Sequence, residues 1–340
     1  MSTTQIPLSN TPLTKDDFLS DQMVKWCPGC GGHAILNSVA QTFARAGFRQ
    51  ENYMMVSGIG CSSRIPYYLN TYGFHGIHGR AAAIASGIKI VRPDLSVWVS
   101  SGDGDSMAIG GNHFIHLVRR NLDITVLLFN NQIYGLTKGQ YSPTTPMGKI
   151  TKTSPFGTIE HPFNPGELVL GSQGTFFARV ADNSPKQMTE VMYAASQHKG
   201  TAIIEILENC VIFADKAHAR ITSRETRDDN QLWLEHGKPM LFGAEMKKGI
   251  RLNGTTLEVV TLGENGVTLQ DILVHDQHTD DPALHLLLAE MKAPVAMGVL
   301  RSVEAPTYED LLEEQIATQH TSHPVQSIED VMNSGDVFDI

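Results

Sequence analysis

Cysteine is scarce in this chain: its 340 residues include four, Cys27, Cys30, Cys61 and Cys210. That is too few for a disulfide framework, and a chain of this length buries a core large enough not to need one. Long apolar runs are missing as well. No stretch approaches the roughly 18 uninterrupted apolar residues that span a bilayer, and the opening MSTTQIPLSNTPLTKDDFLS has no signal-peptide core. Basic charge is in deficit, with 26 Lys and Arg against 36 Asp and Glu, a formal net charge of −10 with histidines neutral. With no long basic run either, nucleic acid is excluded as a partner. Internal repeats and low-complexity tracts are absent too. These absences leave a soluble, cytoplasmic protein with no membrane or nucleic-acid role, whose cysteines serve metal binding or catalysis.

What is present is alternation. Short apolar runs suited to buried parallel strands lie at Tyr53 to Gly60, Ser96 to Ser101, Ile124 to Phe129, Phe176 to Ala181 and Thr201 to Leu207. Helix-like segments lie between them at His33 to Phe48, Gly79 to Val91, Ser106 to Arg120 and Pro185 to His198, the last preceded by Ser184 as a cap. Repeated β-α-β order implies an α/β fold with a doubly wound parallel sheet. From about Asp215 the chain is richer in charge, carries RETRDDN, and ends in the polar TSHPVQSIEDVMNSGDVFDI. The expected division is a ligand-binding domain over 1–214 and a peripheral arm or small subdomain over 215–340.

One strand runs straight into SSGDGDSMAIGG, Ser100 to Gly111. In an open α/β sheet ligands bind beyond the carboxyl ends of the strands, which places Asp103 at such a site. Gly102 and Gly104 allow a tight turn, and a helix starting near Ser106 offers free amides to a phosphate. A lone carboxylate does not hold a diphosphate, but it can hold a Mg²⁺ ion that does. One helix and one strand later comes LLFNNQIYGLTKGQ, so that Asn131 emerges beside Asp103, with the Ile133 carbonyl as a third ligand to the same ion. The bland alternative is a helix cap at Asp103 and a turn at Asn130 and Asn131.

WCPGCGGH, Trp26 to His33, is open to three explanations. A redox dithiol leaves Cys61 and Cys210 unexplained. A structural zinc site usually brings two close pairs, whereas here one pair is joined by two isolated cysteines. Four thiolates suit a 4Fe-4S cluster, and Cys61 and Cys210 each follow a strand whose carboxyl end lies on the side of the GDG turn.

Taken together, WCPGCGGH, GIGCSSR, HGRAAAIASGIKI, GDGDSMAIGGNHFIHLVRRN and NNQIYGLTKGQYSPT resemble the β subunit of the 2-oxoacid:ferredoxin oxidoreductases, most closely the 2-oxoglutarate:ferredoxin type, over about Trp26 to Cys210. The resemblance implies a thiamine-diphosphate-binding fold of the diphosphate-domain type. It assigns Cys27, Cys30, Cys61 and Cys210 to one 4Fe-4S cluster and Asp103, Asn131 and Ile133 to Mg²⁺. It also places thiamine diphosphate against Gly60, Cys61, Ser62, His78, Gly104, Asp105, Gly135 and Leu136, beside the Gly102 turn. The implied reaction is CoA-dependent oxidative decarboxylation of 2-oxoglutarate to succinyl-CoA and CO2. Thiamine diphosphate would supply the electron sink, and the cluster would pass electrons to ferredoxin.

Two cations, Arg64 and Lys138, fall in loops expected at the cofactor rim, where they would pair with substrate carboxylates and favour 2-oxoglutarate over pyruvate or another 2-oxoacid. His78 joins them as a candidate catalytic residue. Only one α/β unit is legible, whereas thiamine enzymes also need a facing domain with an acid to activate the aminopyrimidine. The resemblance places that domain on a separate α subunit, so the chain is expected to be inactive alone and to work in a hetero-oligomer of (αβ)2 type. Two rivals stay open at this point: a non-oxidative thiamine-dependent decarboxylase subunit, and an iron-sulfur subunit with a vestigial cofactor fold.

Overall fold

A computed structural model describes residues 6–322, 327–336 and 338. The ends of the expected division, at 1 and 340, and part of the polar tail lie outside them. The apolar runs become strands close to their expected bounds: β1 Tyr53–Ser57, then β2 Tyr72–His75, β3 Ser96–Gly102, β4 Ile124–Asn130, β5 Phe176–Ala181 and β6 Ala202–Leu207. They are followed by β7 Gln231–Leu234, β8 Leu241–Phe242, β9 Lys248–Asn253, β10 Thr256–Thr261 and β11 Val295–Ser302. Eight form one sheet in the order β2-β1-β3-β4-β6-β5-β11-β7, parallel except where β11 runs against β5. The other three, β10-β9-β8, make a small antiparallel sheet.

Alternation along the strands builds two cores. Val97, Val99, Val126 and Ile203 face the helices Ala81–Val91 and Gly111–Arg120, packing with Ala85, Phe114 and Leu117. Their neighbours Trp98, Leu127 and Ile204 face the helices Gly32–Ala46 and Pro185–Gln197, packing with Val39, Phe43 and Met192. Every residue of β4, β5 and β6 is buried, as expected for parallel strands covered on both faces. The sheet is therefore doubly wound. Among the described residues no helix is long and apolar enough to cross a membrane.

Three expectations change in detail. The single helix expected over Ser106 to Arg120 is split: Asp105–Ile109 is a π-helical turn, and the regular helix starts at Gly111. The glycines at 110 and 111 permit the break, because they add no side chain to hold one continuous helix. Ser184 occupies the N-cap position of its helix, but its hydroxyl makes no capping bond there; it turns back to Asn183 Oδ1 at 3.5 Å. The stretch after Asp215 builds the small sheet and also extends the large one with β7 and β11.

Arg179 and Glu205 sit opposite each other on β5 and β6 and form a buried ion pair, Nε to Oε2 at 2.6 Å. Arg179 also donates to the Ala296 carbonyl, and Glu205 accepts from Asn130 Nδ2 at 2.7 Å. Replacing Arg179 by Met strands a buried carboxylate, a loss worth about 3–5 kcal/mol. Denaturant unfolding should show that loss, and Arg179→Met combined with Glu205→Leu should recover most of it. If the single variant is as stable as the parent, the pair is not what holds these strands.

Candidate functional site

Four adjacent parallel strands, β1, β3, β4 and β6, end on the same side of the sheet. The loops that follow them carry Cys61, Asp103, Asn131 and Cys210. Adjacency of the strands, not nearness in sequence, assembles the site, and it lies where an open α/β sheet places its ligand. A cavity of about 150 Å³ opens there, walled by residues 59–62, 102–105 and 133–137 with His78, Phe129 and Asn131. Every residue expected to touch cofactor or Mg²⁺ lines it. Arg64, Lys138, Cys27, Cys30 and Cys210 do not.

Asp103 is 2% exposed, and its Oδ2 accepts from Ser142 and Thr144 Oγ1, both at 2.5 Å. Burial pushes its carboxyl up to about 6, against the pull of those two hydroxyls. A buried acid with no cation beside it is costly unless an ion joins it. Asn131 turns Nδ2 toward Glu208 Oε2 at 2.9 Å, and its Oδ1 accepts from Ile133 N at 3.3 Å with a second lone pair left for an ion. Ser62 Oγ is buried in the cavity wall and has no partner among the described residues. An orphaned hydroxyl of this kind fits a bound polar group. Gly104 lies under the Tyr134 ring so closely that a Cβ there would be 2.3 Å from Cε1, and Tyr134 donates to the Gly104 carbonyl at 3.0 Å. The donor set of one carboxylate, one amide and one carbonyl suits Mg²⁺, which completes its shell with phosphate and water.

Asp105 gathers protein groups. Its Oδ1 accepts from His78 Nδ1 at 2.6 Å, Gly79 N at 2.7 Å and Ile59 N at 3.1 Å, and its Oδ2 from Ser101 Oγ at 2.5 Å. It thus ties the loops after β1, β2 and β3 together and orients the His78 ring, whose Nε2 has no protein partner among the described residues.

All four cysteines are free thiols. A Cβ on Gly135 would lie 3.3 Å from Cys210 Sγ and 3.9 Å from Cys61 Sγ, so these two flank one backbone position. Burial pushes the Cys61 thiol up to about 11, with the negative charges of Glu208, Cys210 and Cys27 adding to it and Arg64 opposing. Cys30 is pushed up by burial, then by Glu208, and also feels Cys61. The set therefore shares one electrostatic neighbourhood. The CPGC loop is held there because Gly31 N donates to the Asn209 carbonyl at 3.4 Å, and Gly31 has no room for a side chain, since a Cβ would meet Asp182 Oδ2 at 1.9 Å. Among the described residues no three His, Cys, Asp or Glu side chains close on a point fit for one ion. A cubane differs, because its thiolates stand at the corners of a body several ångströms across.

Arg64 ends the 3-10 turn Ser62–Arg64 and is partly exposed; Lys138 is exposed at φ +80°. Both border the cavity's loops without lining it. Ser142, Thr144 and Glu208 were not marked from sequence. Their signal is only spatial: hydroxyls 39 and 41 residues beyond Asp103, and an acid at the end of a buried strand.

Comparison with known proteins adds to this geometry. Residues 55–206 match the family model for the thiamine pyrophosphate enzyme, C-terminal TPP binding domain. The chain is similar to the 2-oxoglutarate oxidoreductase subunit KorB of Mycobacterium tuberculosis, 46% identical over 323 residues covering 94% of this chain and 86% of the relative. It is also similar to the 2-oxoglutarate synthase subunit KorB of Archaeoglobus fulgidus, 44% identical over 57% of this chain and 73% of that one. Among solved structures it is similar to the 2-oxoglutarate:ferredoxin oxidoreductase from Magnetococcus marinus with 2-oxoglutarate, coenzyme A and succinyl-CoA bound. The TM-score is 0.77 at 31% identity, over 97% of this chain and 98% of that one.

Proposed function

Because the chain belongs to the KorB family of 2-oxoglutarate oxidoreductase β subunits, we propose that its strand-end cavity binds thiamine diphosphate through Mg²⁺ and oxidatively decarboxylates 2-oxoglutarate to succinyl-CoA. The observation that carries the reading is the buried Asp103, without a counter-charge among the described residues, in the same cavity wall as the orphaned Ser62 hydroxyl. Asp103, Asn131 and the Ile133 carbonyl would hold the ion. Gly102 and Gly104 would let the diphosphate approach the backbone, and His78, steadied by Asp105, would orient the cofactor. When bound, thiamine diphosphate supplies the electron sink for loss of CO2. Cys27, Cys30, Cys61 and Cys210 would hold a 4Fe-4S cluster, giving ferredoxin a one-electron donor beside the cavity.

The partner is an α subunit carrying the facing domain, in an (αβ)2 assembly. All four residues of the edge strand β2 are exposed, and near the cavity mouth Ile77 and Ile109 are 68% and 56% exposed. Apolar surface of this kind suits a permanent partner. Residues 215–340 are assigned to the same contact. The test is anaerobic co-purification with the α subunit, then CoA-dependent dye reduction across a panel of 2-oxoacids. Turnover of 2-oxoglutarate by the complex and none by the isolated chain is expected. CO2 release without dye reduction would favour a plain decarboxylase, and equal activity of the isolated chain would overturn the division of labour.

Arg64 and Lys138 are proposed to receive the substrate carboxylates. Replacing both by neutral residues should raise the KM for 2-oxoglutarate by at least about tenfold, the scale of one charge-assisted hydrogen bond, while leaving that for pyruvate within about threefold. Equal changes for both substrates would assign the two cations elsewhere.

A further inference from the structure

Glu208 is 1% exposed at the end of β6, and no Lys, Arg or His forms an ion pair with it among the described residues. A carboxylate so placed costs stability, and well-packed apolar replacements usually do better. Its backbone N–H donates to the Asn130 carbonyl at 3.0 Å, which fixes it beside the next residue of that loop. Its two oxygens face different centres: Oε2 accepts from Asn131 Nδ2 at 2.9 Å, and Oε1 accepts from the Cys30 thiol at 3.5 Å.

An Asn side chain offers a cation one useful atom, its carbonyl oxygen, and a rotation by half a turn presents the NH2 group instead. Glu208 Oε2 accepts from Asn131 Nδ2 while Ile133 N donates to Asn131 Oδ1 at 3.3 Å, so the amide sits in one orientation, with Nδ2 toward Glu208 and Oδ1 away from it. We propose that Glu208 is a positioning residue that locks the Asn131 oxygen toward the diphosphate ion and ties that ligand to the Cys30 corner of the cysteine set. The inference rests on the reading of Asn131 as an ion ligand. It extends that reading to a residue that touches neither cofactor nor substrate, and it makes the loops after β4 and β6 and the CPGC loop one hydrogen-bonded unit.

The test uses the complex with the α subunit and measures Mg²⁺ affinity by calorimetric titration in the presence of thiamine diphosphate, alongside thermal unfolding. Glu208→Met keeps the length and removes the acceptor; Glu208→Gln keeps a carbonyl that can accept from Asn131. Partners that orient metal ligands typically contribute about 10–100-fold in affinity. The Met variant should lose that much with no fall in thermal stability, and the Gln variant should stay within about threefold of the parent. Asn131→Ala provides the reference. If it weakens Mg²⁺ while both Glu208 variants bind as the parent does, Glu208 has no positioning role. If Asn131→Ala itself binds Mg²⁺ normally, the ligand reading fails, and the inference with it. Should the Met variant not fold, the Gln variant decides through the reduced cluster's EPR spectrum: a changed signal at retained Mg²⁺ affinity supports the link to Cys30, and an unchanged one overturns it.

Discussion

Asp103→Asn is expected to abolish thiamine-dependent turnover, by at least about 10³-fold, while making the ion-free protein more stable. The activity loss follows from the donor set: Asn131 and the Ile133 carbonyl are neutral, so Asp103 brings the site's anionic ligand. The gain in stability follows from burial. Desolvation lifts the Asp103 carboxyl to about 6, above the value near 4 of an unfolded chain. The folded protein therefore binds this proton more tightly than the unfolded one. Its contribution is fully present below about pH 4 and is lost as pH rises through about 6, leaving a deficit of about 3 kcal/mol at neutral pH. An amide carries no such deficit. Denaturant unfolding of metal-free protein at pH 7 should show Asp103→Asn ahead of the parent, and excess Mg²⁺ with thiamine diphosphate should reverse the order. If the parent is the more stable of the two without metal, the carboxylate is compensated within the fold and the argument for an ion is lost.

The loops that such a test probes were legible from sequence for a physical reason. Strands buried on both faces must be apolar throughout, so ITVLLFN and AIIEIL declare themselves, and the residues after them are then at a rim by construction. β2 was not legible, because YGFH is short and exposed at the sheet edge, where no burial shapes its composition. β7 and β11 were hidden by distance: charged segments separate them from the strands they join, and one pairing is antiparallel. Within the site, the proposed ion ligands Asp103, Asn131 and Ile133 follow from spacing and the other proposed cofactor contacts from the resemblance, whereas the residues that would orient them do not. Ser142 and Thr144 reach Asp103 from a loop with no strand signal, and Asp105, expected against the cofactor, spends its carboxylate on His78, Gly79, Ile59 and Ser101. Such contacts depend on how loops fold over one another.

The second large effect separates the two halves of the proposed chemistry. Cys210→Ser should cost reduction of ferredoxin or a dye more than the roughly 100-fold upper range seen for residues that merely support a metal ligand, because here a ligand itself is lost. Binding of thiamine diphosphate should survive, since Cys210 is not part of the cavity wall, whereas Cys61 is. Serine keeps the shape beside Gly135, where the sulfur lies 3.3 Å from the Cβ position, so packing is not the variable. In the metal-free chain burial holds Cys61 and Cys30 protonated, so cluster assembly must displace their protons. Oxygen replacing one sulfur removes a thiolate from that set, and acid-labile sulfide and the reduced-cluster EPR signal should fall together with acceptor reduction. Exchange of labelled CO2 into the 2-oxoacid, which needs the cofactor but no net electron exit, should persist in the same preparation. Retention of full iron, sulfide and dye reduction in Cys210→Ser would remove it from the ligand set and return WCPGCGGH to the simpler status of a dithiol.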